Sequence, residues 1–122
     1  MTKSDLRGRR VLVVEGESRI AMLIRDTLED LGCEVVAIAS RFQDALEKAT
    51  GLVFDIALLD VNLGGQPSFV IASELAARGV PFVLATGYSS PTVPAELKQA
   101  PVLEKPFLRA ELERVLLAAL AS

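Results

Sequence analysis

Histidine is absent from this chain. The protein therefore carries no phosphohistidine of its own and no histidine general base. Cysteine is nearly absent: Cys33 is the single one. An internal disulfide and a cysteine-only metal cage are both excluded. Cys33 follows Gly32, at an expected helix–strand junction where a small packed residue is the ordinary reading. Long apolar runs are missing as well, and none approaches the roughly 20 residues that span a bilayer. Met1-Thr2-Lys3-Ser4-Asp5 opens no apolar signal segment. The chain thus reads as cytoplasmic, without a membrane partner. Nor is there a large excess of one charge. The net charge of −3 argues against wholesale nucleic-acid binding. Arg7, Arg9 and Arg10 form a small basic cluster, read as a solvated flank before a strand.

What is present fits one domain over residues 1–122. Half the residues are apolar (51%) and 24% are charged, which suits a sizeable core and argues against disorder. Long linkers, internal repeats and low-complexity tracts do not interrupt the pattern, so any output is expected through the surface of this one unit.

Strand and helix patterns alternate five times. Val11 to Val14 is a continuous apolar run, as a strand buried on both faces requires. Ile20, Leu23, Ile24, Leu28 and Leu31 recur at helical spacing, and Gly32 supplies a stop. Glu34 to Ala39 reads as a second strand. Phe42, Ala45, Leu46 and Ala49 mark a second helix ended by Gly51, and Asp55 to Asp60 a third strand. Gly64-Gly65-Gln66-Pro67 reads as a loop and Ser68 as the N-cap of a third helix, which Gly79 ends. Pro81 to Ala85 is the fourth strand and Gly87 to Pro94 a loop. The helix around Ala95 to Gln99 is short and boxed by Pro94 and Pro101, so it is expected to be weak or mobile. Val102 to Glu104 is the fifth strand. Leu108, Leu112, Val115, Leu116 and Ala119 define a last amphipathic helix. Five β–α units with right-handed crossovers predict an α/β, doubly wound parallel sheet.

Four polar residues end the apolar runs: Glu15, Asp60, Thr86 and Lys105. In a parallel sheet those ends share one rim, the one α/β folds use for chemistry. A carboxylate such as Asp60 can attack phosphorus and form an acyl phosphate. It needs positive charge nearby, because nucleophile and phosphoryl group are both anionic. Lys105 is the candidate. Pro106 biases it to an extended conformation and so gives its amine a direction. A cis Lys105–Pro106 bond is the minority option, at about 5–6% of X–Pro bonds. Thr86 offers a hydroxyl, and Gly87 lets backbone approach a ligand. Glu15 beside Asp60 is costly unless a cation intervenes. Mg²⁺ suits these oxygen ligands, with the Asn62 backbone carbonyl as a third. Blander readings stand beside each of these. Asp60 is a satisfied turn residue, Lys105 a snorkelling strand end, Thr86 an ordinary β-branched residue, and Glu15 a helix cap or an ion-pair partner of Lys105.

Val11-Leu12-Val13-Val14-Glu15, Leu58-Leu59-Asp60-Val61-Asn62-Leu63, Ala85-Thr86-Gly87 and Glu104-Lys105-Pro106-Phe107 together resemble the receiver domain of two-component response regulators, over essentially the whole chain. The resemblance implies a flavodoxin-like (βα)5 fold with strand order 2-1-3-4-5. It implies Asp60 as phosphoryl acceptor, Lys105 as the cation on the acyl phosphate and Thr86 as a hydroxyl that swings toward it. It also implies Mg²⁺ and a sensor histidine kinase or histidine phosphotransfer partner. A downstream protein target, or a homodimer, would use the face made by the fourth helix, fifth strand and fifth helix. Pro81 to Tyr88 is similar to the motif of the subgroup nicknamed FAT GUY, whose members are often stand-alone and carry a mobile fourth helix.

Two departures from that family qualify the expectation. Receivers usually carry two adjacent acids after the first strand, the second a direct Mg²⁺ ligand. Here the pair is Glu15-Gly16, which predicts weakened Mg²⁺ binding, with Glu17 one residue beyond. Val102 stands where many receivers have an aromatic switch residue, which leaves Tyr88 or the mobile loop as the substitute. The competing expectation is a phosphorylation-independent binding module of the same fold. An independent enzyme is disfavoured: an aspartyl-phosphate hydrolase would show Asp-x-Asp, and that place holds Asn62. A flavin site is disfavoured because Glu15-Gly16-Glu17 repels phosphate.

Overall fold

The computed structural model describes residues 6–87 and 91–121. Met1 to Asp5, Tyr88 and the expectations attached to them lie outside that range. The elements in chain order are β1 (Arg10–Val14), α1 (Ser18–Asp30), β2 (Glu34–Ala39), α2 (Phe42–Gly51), β3 (Ile56–Asp60), β4 (Asn62–Leu63), β5 (Gln66–Pro67), α3 (Phe69–Ala77), β6 (Phe82–Thr86), a single 3-10 turn (Ala95–Leu97), β7 (Val102–Glu104) and α4 (Arg109–Ala121).

Five strands form one sheet in the order β2-β1-β3-β6-β7, and every pairing within it is parallel. This is the 2-1-3-4-5 order of the flavodoxin-like fold once the β4–β5 hairpin is set aside. Every residue of β3 is buried, because it is the central strand with helices over both faces. Alternate residues divide between two cores. Val11, Val13, Ile56 and Leu58 pack with α1 and α4 through Ile24, Leu28, Leu112 and Leu116. Leu12, Val14, Ala57 and Leu59 pack with α2 and α3 through Ala45, Ala49, Ile71 and Leu75. Each fully buried leucine contributes about 1.5–3 kcal/mol relative to an exposed one, which fixes the strand register.

Gly32 closes α1 as the pattern predicted. Its φ is +94°, and its N–H and that of Cys33 return to Glu29 and Leu28 carbonyls, a Schellman ending. Gly79 ends α3 in the same way. Gly51 does not: it is the last helical residue, and Leu52 is the cap.

The loop expected at residues 64–67 is instead a small antiparallel hairpin, with Leu63 opposite Gln66 and Asn62 opposite Pro67. Gly64 and Gly65 both have positive φ, +59° and +89°, as a type I′ turn requires at its two central residues. A Gly-Gly pair between two short segments was the signal available for it. The Pro-bounded segment forms only the 3-10 turn Ala95–Leu97. Among the described residues no helix is long and apolar enough to cross a membrane.

Candidate functional site

The C-terminal rim of the sheet collects three of the four strand-end groups. Lys105 Nζ donates to Glu15 Oε1 at 3.0 Å and to Asp60 Oδ2 at 3.1 Å. The residues are 1% exposed for Glu15 and 6% for Asp60, and the Lys105 side chain is 19% exposed. The strands aim these groups together. β1 and β3 are adjacent and in register to Val14 and Leu59, so Glu15 and Asp60 emerge side by side. Lys105 arrives from the end of β7, its N–H donating to the Thr86 carbonyl at 2.8 Å. The Lys105–Pro106 bond is cis, the minority option.

Backbone amides align the carboxylates. The Glu17 N–H donates to Glu15 Oε2 at 3.1 Å, and the Asn62 N–H donates to Asp60 Oδ1 at 3.1 Å. Thus Glu15 both pairs with Lys105 and orients the entry to α1. Burial pushes the Glu15 carboxyl above the usual range; the Lys105 ammonium and the Glu17 amide oppose this, and the Asp60 charge adds to it. For Lys105, burial acts to lower the ammonium pKa. The hydrogen bonds to Glu15 and Asp60, with their charges, outweigh it and raise the pKa.

Thr86 ends β6 half-buried, but among the described residues its hydroxyl makes no hydrogen bond to Asp60 or Lys105. The contact expected of it is with a phosphoryl oxygen, a group this structure does not contain. Ser68 takes its expected place but puts its hydroxyl to another use. It occupies the N-cap of α3 without a side-chain capping bond. Its hydroxyl donates to the Asp60 carbonyl at 2.7 Å, and the residue is 0% exposed.

A cleft of about 300 Å³ opens beside the pair, lined by Glu15, Gly16, Glu17, Ser40, Asp60 and Asn62, with the Gly64–Gly65 turn. Asn62 presents its backbone to this cleft for a topological reason. It forms the second pair from the turn, opposite Pro67, where backbone groups point away from the partner strand, and its N–H points to Asp60. Asn62 thus lines the cleft with its amide already given to Asp60. Its side chain is used elsewhere, Oδ1 accepting the Gly65 N–H at 2.7 Å.

Two carboxylates and one carbonyl fit a hard divalent cation that keeps most of its water. No cluster of three or more acidic, histidine or cysteine residues suited to a metal exists among the described residues. Gly16 is where the third carboxylate is lacking. A Cβ built there meets only the Gly64 amide nitrogen and the Ser40 carbonyl oxygen, both at 3.8 Å. Neither backbone strain nor crowding demands glycine at this position.

Arg10, read as a solvated flank, is in fact paired. Its Nη2 lies 3.1 Å from Asp55 Oδ1, and its backbone N–H donates to Asp55 Oδ2 at 2.7 Å. This pair sits at the opposite, N-terminal edge of the sheet.

The family model of the response regulator receiver domain matches residues 11–117. The chain is 40% identical to SdrG from Sphingomonas melonis Fr1, whose solution structure superposes with a TM-score of 0.83 over 94% of this chain and 98% of that one. It is 32% identical to the transcriptional regulatory protein PdtaR of Mycobacterium tuberculosis over 81% of its own length and 50% of the relative's. It is 30% identical to ethylene receptor 2 of Arabidopsis thaliana over 97% of its length and 17% of the receptor's. The chain thus spans half or less of these two curated relatives.

Proposed function

The chain belongs to the response regulator receiver family, and from that premise we propose that it accepts a phosphoryl group on Asp60 and changes its protein-binding surface in response. The observation that carries this is the ammonium of Lys105 bridging Asp60 and Glu15 at 3.1 and 3.0 Å on the sheet rim. The donor is a phosphohistidine of a sensor kinase or phosphotransfer protein, which a chain without histidine must find in a partner. An Asp60 carboxylate oxygen attacks phosphorus; the P–O bond forms as the donor P–N bond breaks, and the imidazole leaves with the electron pair. Lys105 offsets the negative charge gathered between nucleophile and phosphoryl group. The Asn62 amide fixes the Asp60 oxygen at 3.1 Å. The Thr86 hydroxyl is free to turn toward the added phosphoryl oxygens. Glu15, Asp60 and the Asn62 carbonyl would hold Mg²⁺, which when bound neutralises charge on the incoming group. The new charge then reorders nearby segments, the Ala95–Leu97 turn and β7 among them, for a downstream protein or a second copy of the chain.

The test is intact mass after incubation with a small acyl-phosphate donor and Mg²⁺. A gain of one phosphoryl group that Asp60→Ala abolishes is expected. No gain, either with the small donor or with a histidine-phosphorylated partner, would sink the reading. Gly16 favours a second one, a binding module of the same fold that works without phosphorylation, because the site has only two carboxylates to hold a cation.

A further inference from the structure

We propose that Ser68 is a positioning residue for Asp60: its hydroxyl holds the Asp60–Val61 peptide and so sets the direction in which the Asp60 carboxylate meets Lys105. The inference rests on the reading of Asp60 as phosphoryl acceptor.

The need for such a group follows from where the strands end. β1 pairs with β3 only as far as Val14 opposite Leu59. Beyond that point β1 keeps only its other neighbour, the Glu15 N–H donating to the Ala39 carbonyl of β2. The Asp60 carbonyl therefore lies past the last paired residue of β1, in a buried place where an unpaired acceptor is costly. The other half of the same peptide is secured, because the Val61 N–H donates to Ala85 on β6 at 3.0 Å. The Ser68 hydroxyl secures the remaining half at 2.7 Å. A planar peptide pinned at both its N–H and its C=O cannot tilt. The Asn62 amide, one peptide further on, then stays aligned with Asp60 Oδ1.

Ser68 is itself fixed. Its N–H donates to the Val61 carbonyl at 3.0 Å, and its carbonyl accepts the Ile71 and Ala72 amides at 3.0 and 3.2 Å. It is fully buried, so water does not replace its hydroxyl. Its place at the head of α3 offers that hydroxyl a capping role, yet no side-chain cap bond forms. Thr27 and Thr50 show the ordinary alternative, their hydroxyls returning to carbonyls of their own helices. Ser68 instead spans eight residues back to the candidate nucleophile.

The experiment compares Ser68→Ala, which removes the donor, with Ser68→Thr, which keeps it. Val115→Ala, a core truncation on α4, controls for general loosening. The rate of phosphoryl uptake from a small acyl phosphate with Mg²⁺ is followed by intact mass, below all melting temperatures. Ser68→Ala should slow about ten-fold, while Ser68→Thr and Val115→Ala stay within about three-fold of the native chain. Amide hydrogen exchange at Val61 should quicken in Ser68→Ala and not in Val115→Ala. A native rate in Ser68→Ala, or equal slowing in Val115→Ala, overturns the proposal. If Ser68→Ala does not fold, Ser68→Cys, close in size and a weak donor, takes its place with the same outcomes. A native chain that takes up no phosphoryl group from the small donor and none from a histidine-phosphorylated partner overturns the reading of Asp60 instead. Val61 exchange then decides alone whether Ser68 holds the peptide.

Discussion

Strands β1 and β3 are ion-paired at both ends, and the two pairs are built on different terms. At the N-terminal edge one guanidinium meets one carboxylate. Arg10 and Asp55 are joined by a side-chain fork and a backbone amide, with side chains 43% and 25% exposed. Charges balance, and the planar fork matches the carboxylate. At the C-terminal edge two buried carboxylates share one ammonium. That end is one positive charge short. The first pair staples two strands together. The second holds an imbalance that a bound cation would relieve, a perturbed arrangement that suits a candidate site better than a staple.

Removing the cation from each end should separate them most sharply. Lys105→Ala leaves the buried Glu15 and Asp60 carboxylates without a cation, so stability should fall by about 3 kcal/mol. Phosphoryl uptake should fall by about 100-fold or more. Arg10→Ala should weaken the fold modestly and leave uptake unchanged. Urea melts and the mass assay read both quantities. Equal losses of uptake in the two variants would erase the distinction.

Next comes one substitution at both ends, with opposite sign. Asp60→Asn keeps an acceptor for the Asn62 amide and leaves Glu15 and Lys105 matched one to one. Its Tm, without metal, should equal or exceed that of the native chain. Asp55→Asn loses the charge that Arg10 reads, and Tm should drop by roughly 3 °C. A Tm loss in Asp60→Asn as large as in Asp55→Asn would mean that the buried end is also a staple.

Gly16→Asp sharpens the comparison by restoring a third carboxylate where space for it exists, 3.8 Å from the nearest backbone atoms. Ligand charge count tunes the affinity of such sites, so Mg²⁺ should bind about ten-fold more tightly than to the native chain. Titration calorimetry measures it; equal or weaker binding contradicts the account of Gly16.

Much of this architecture was legible because it is written in local runs. Glu34–Ala39 and Val102–Glu104 are strands with the bounds their apolar patterns give. Gly32 and Gly79 stop helices by a mechanism that needs only glycine at the right place. Glu15, Asp60 and Lys105 converge because each ends a strand of one parallel sheet, so topology alone brings them together. What escaped depends on partners distant in sequence or on rotamers. Ser68 is the N-cap its pattern gives, but its hydroxyl's acceptor lies across a hairpin that the local pattern does not reveal. Arg10 looked solvated because nothing local marks Asp55 as its neighbour, 45 residues on. Thr86 ends its strand at the same rim, but a strand position does not fix where a β-branched side chain turns its oxygen.

The smallest effect, and the finest test of the two ends, is the pH dependence of these Tm differences in metal-free buffer. The Arg10 hydrogen bonds and charge hold Asp55 below its ordinary value of 3.8. A carboxyl depressed in the folded state stabilises above its unfolded pKa, and that contribution is lost as pH falls through the folded pKa. The deficit of Asp55→Asn should therefore be constant from neutral pH down to 3.8 and vanish only in more acidic solution. Glu15 is shifted the other way, raised by burial above its ordinary 4.5. A group raised in the folded state favours folding fully below its unfolded pKa, and loses that contribution as pH rises through the folded one. Acidification above 4.5 should thus already relieve the charge crowding at the C-terminal edge, and any Tm advantage of Asp60→Asn should shrink while the Asp55→Asn deficit still stands. Two differences that faded together over the same pH range would show that the ends carry the same electrostatics after all.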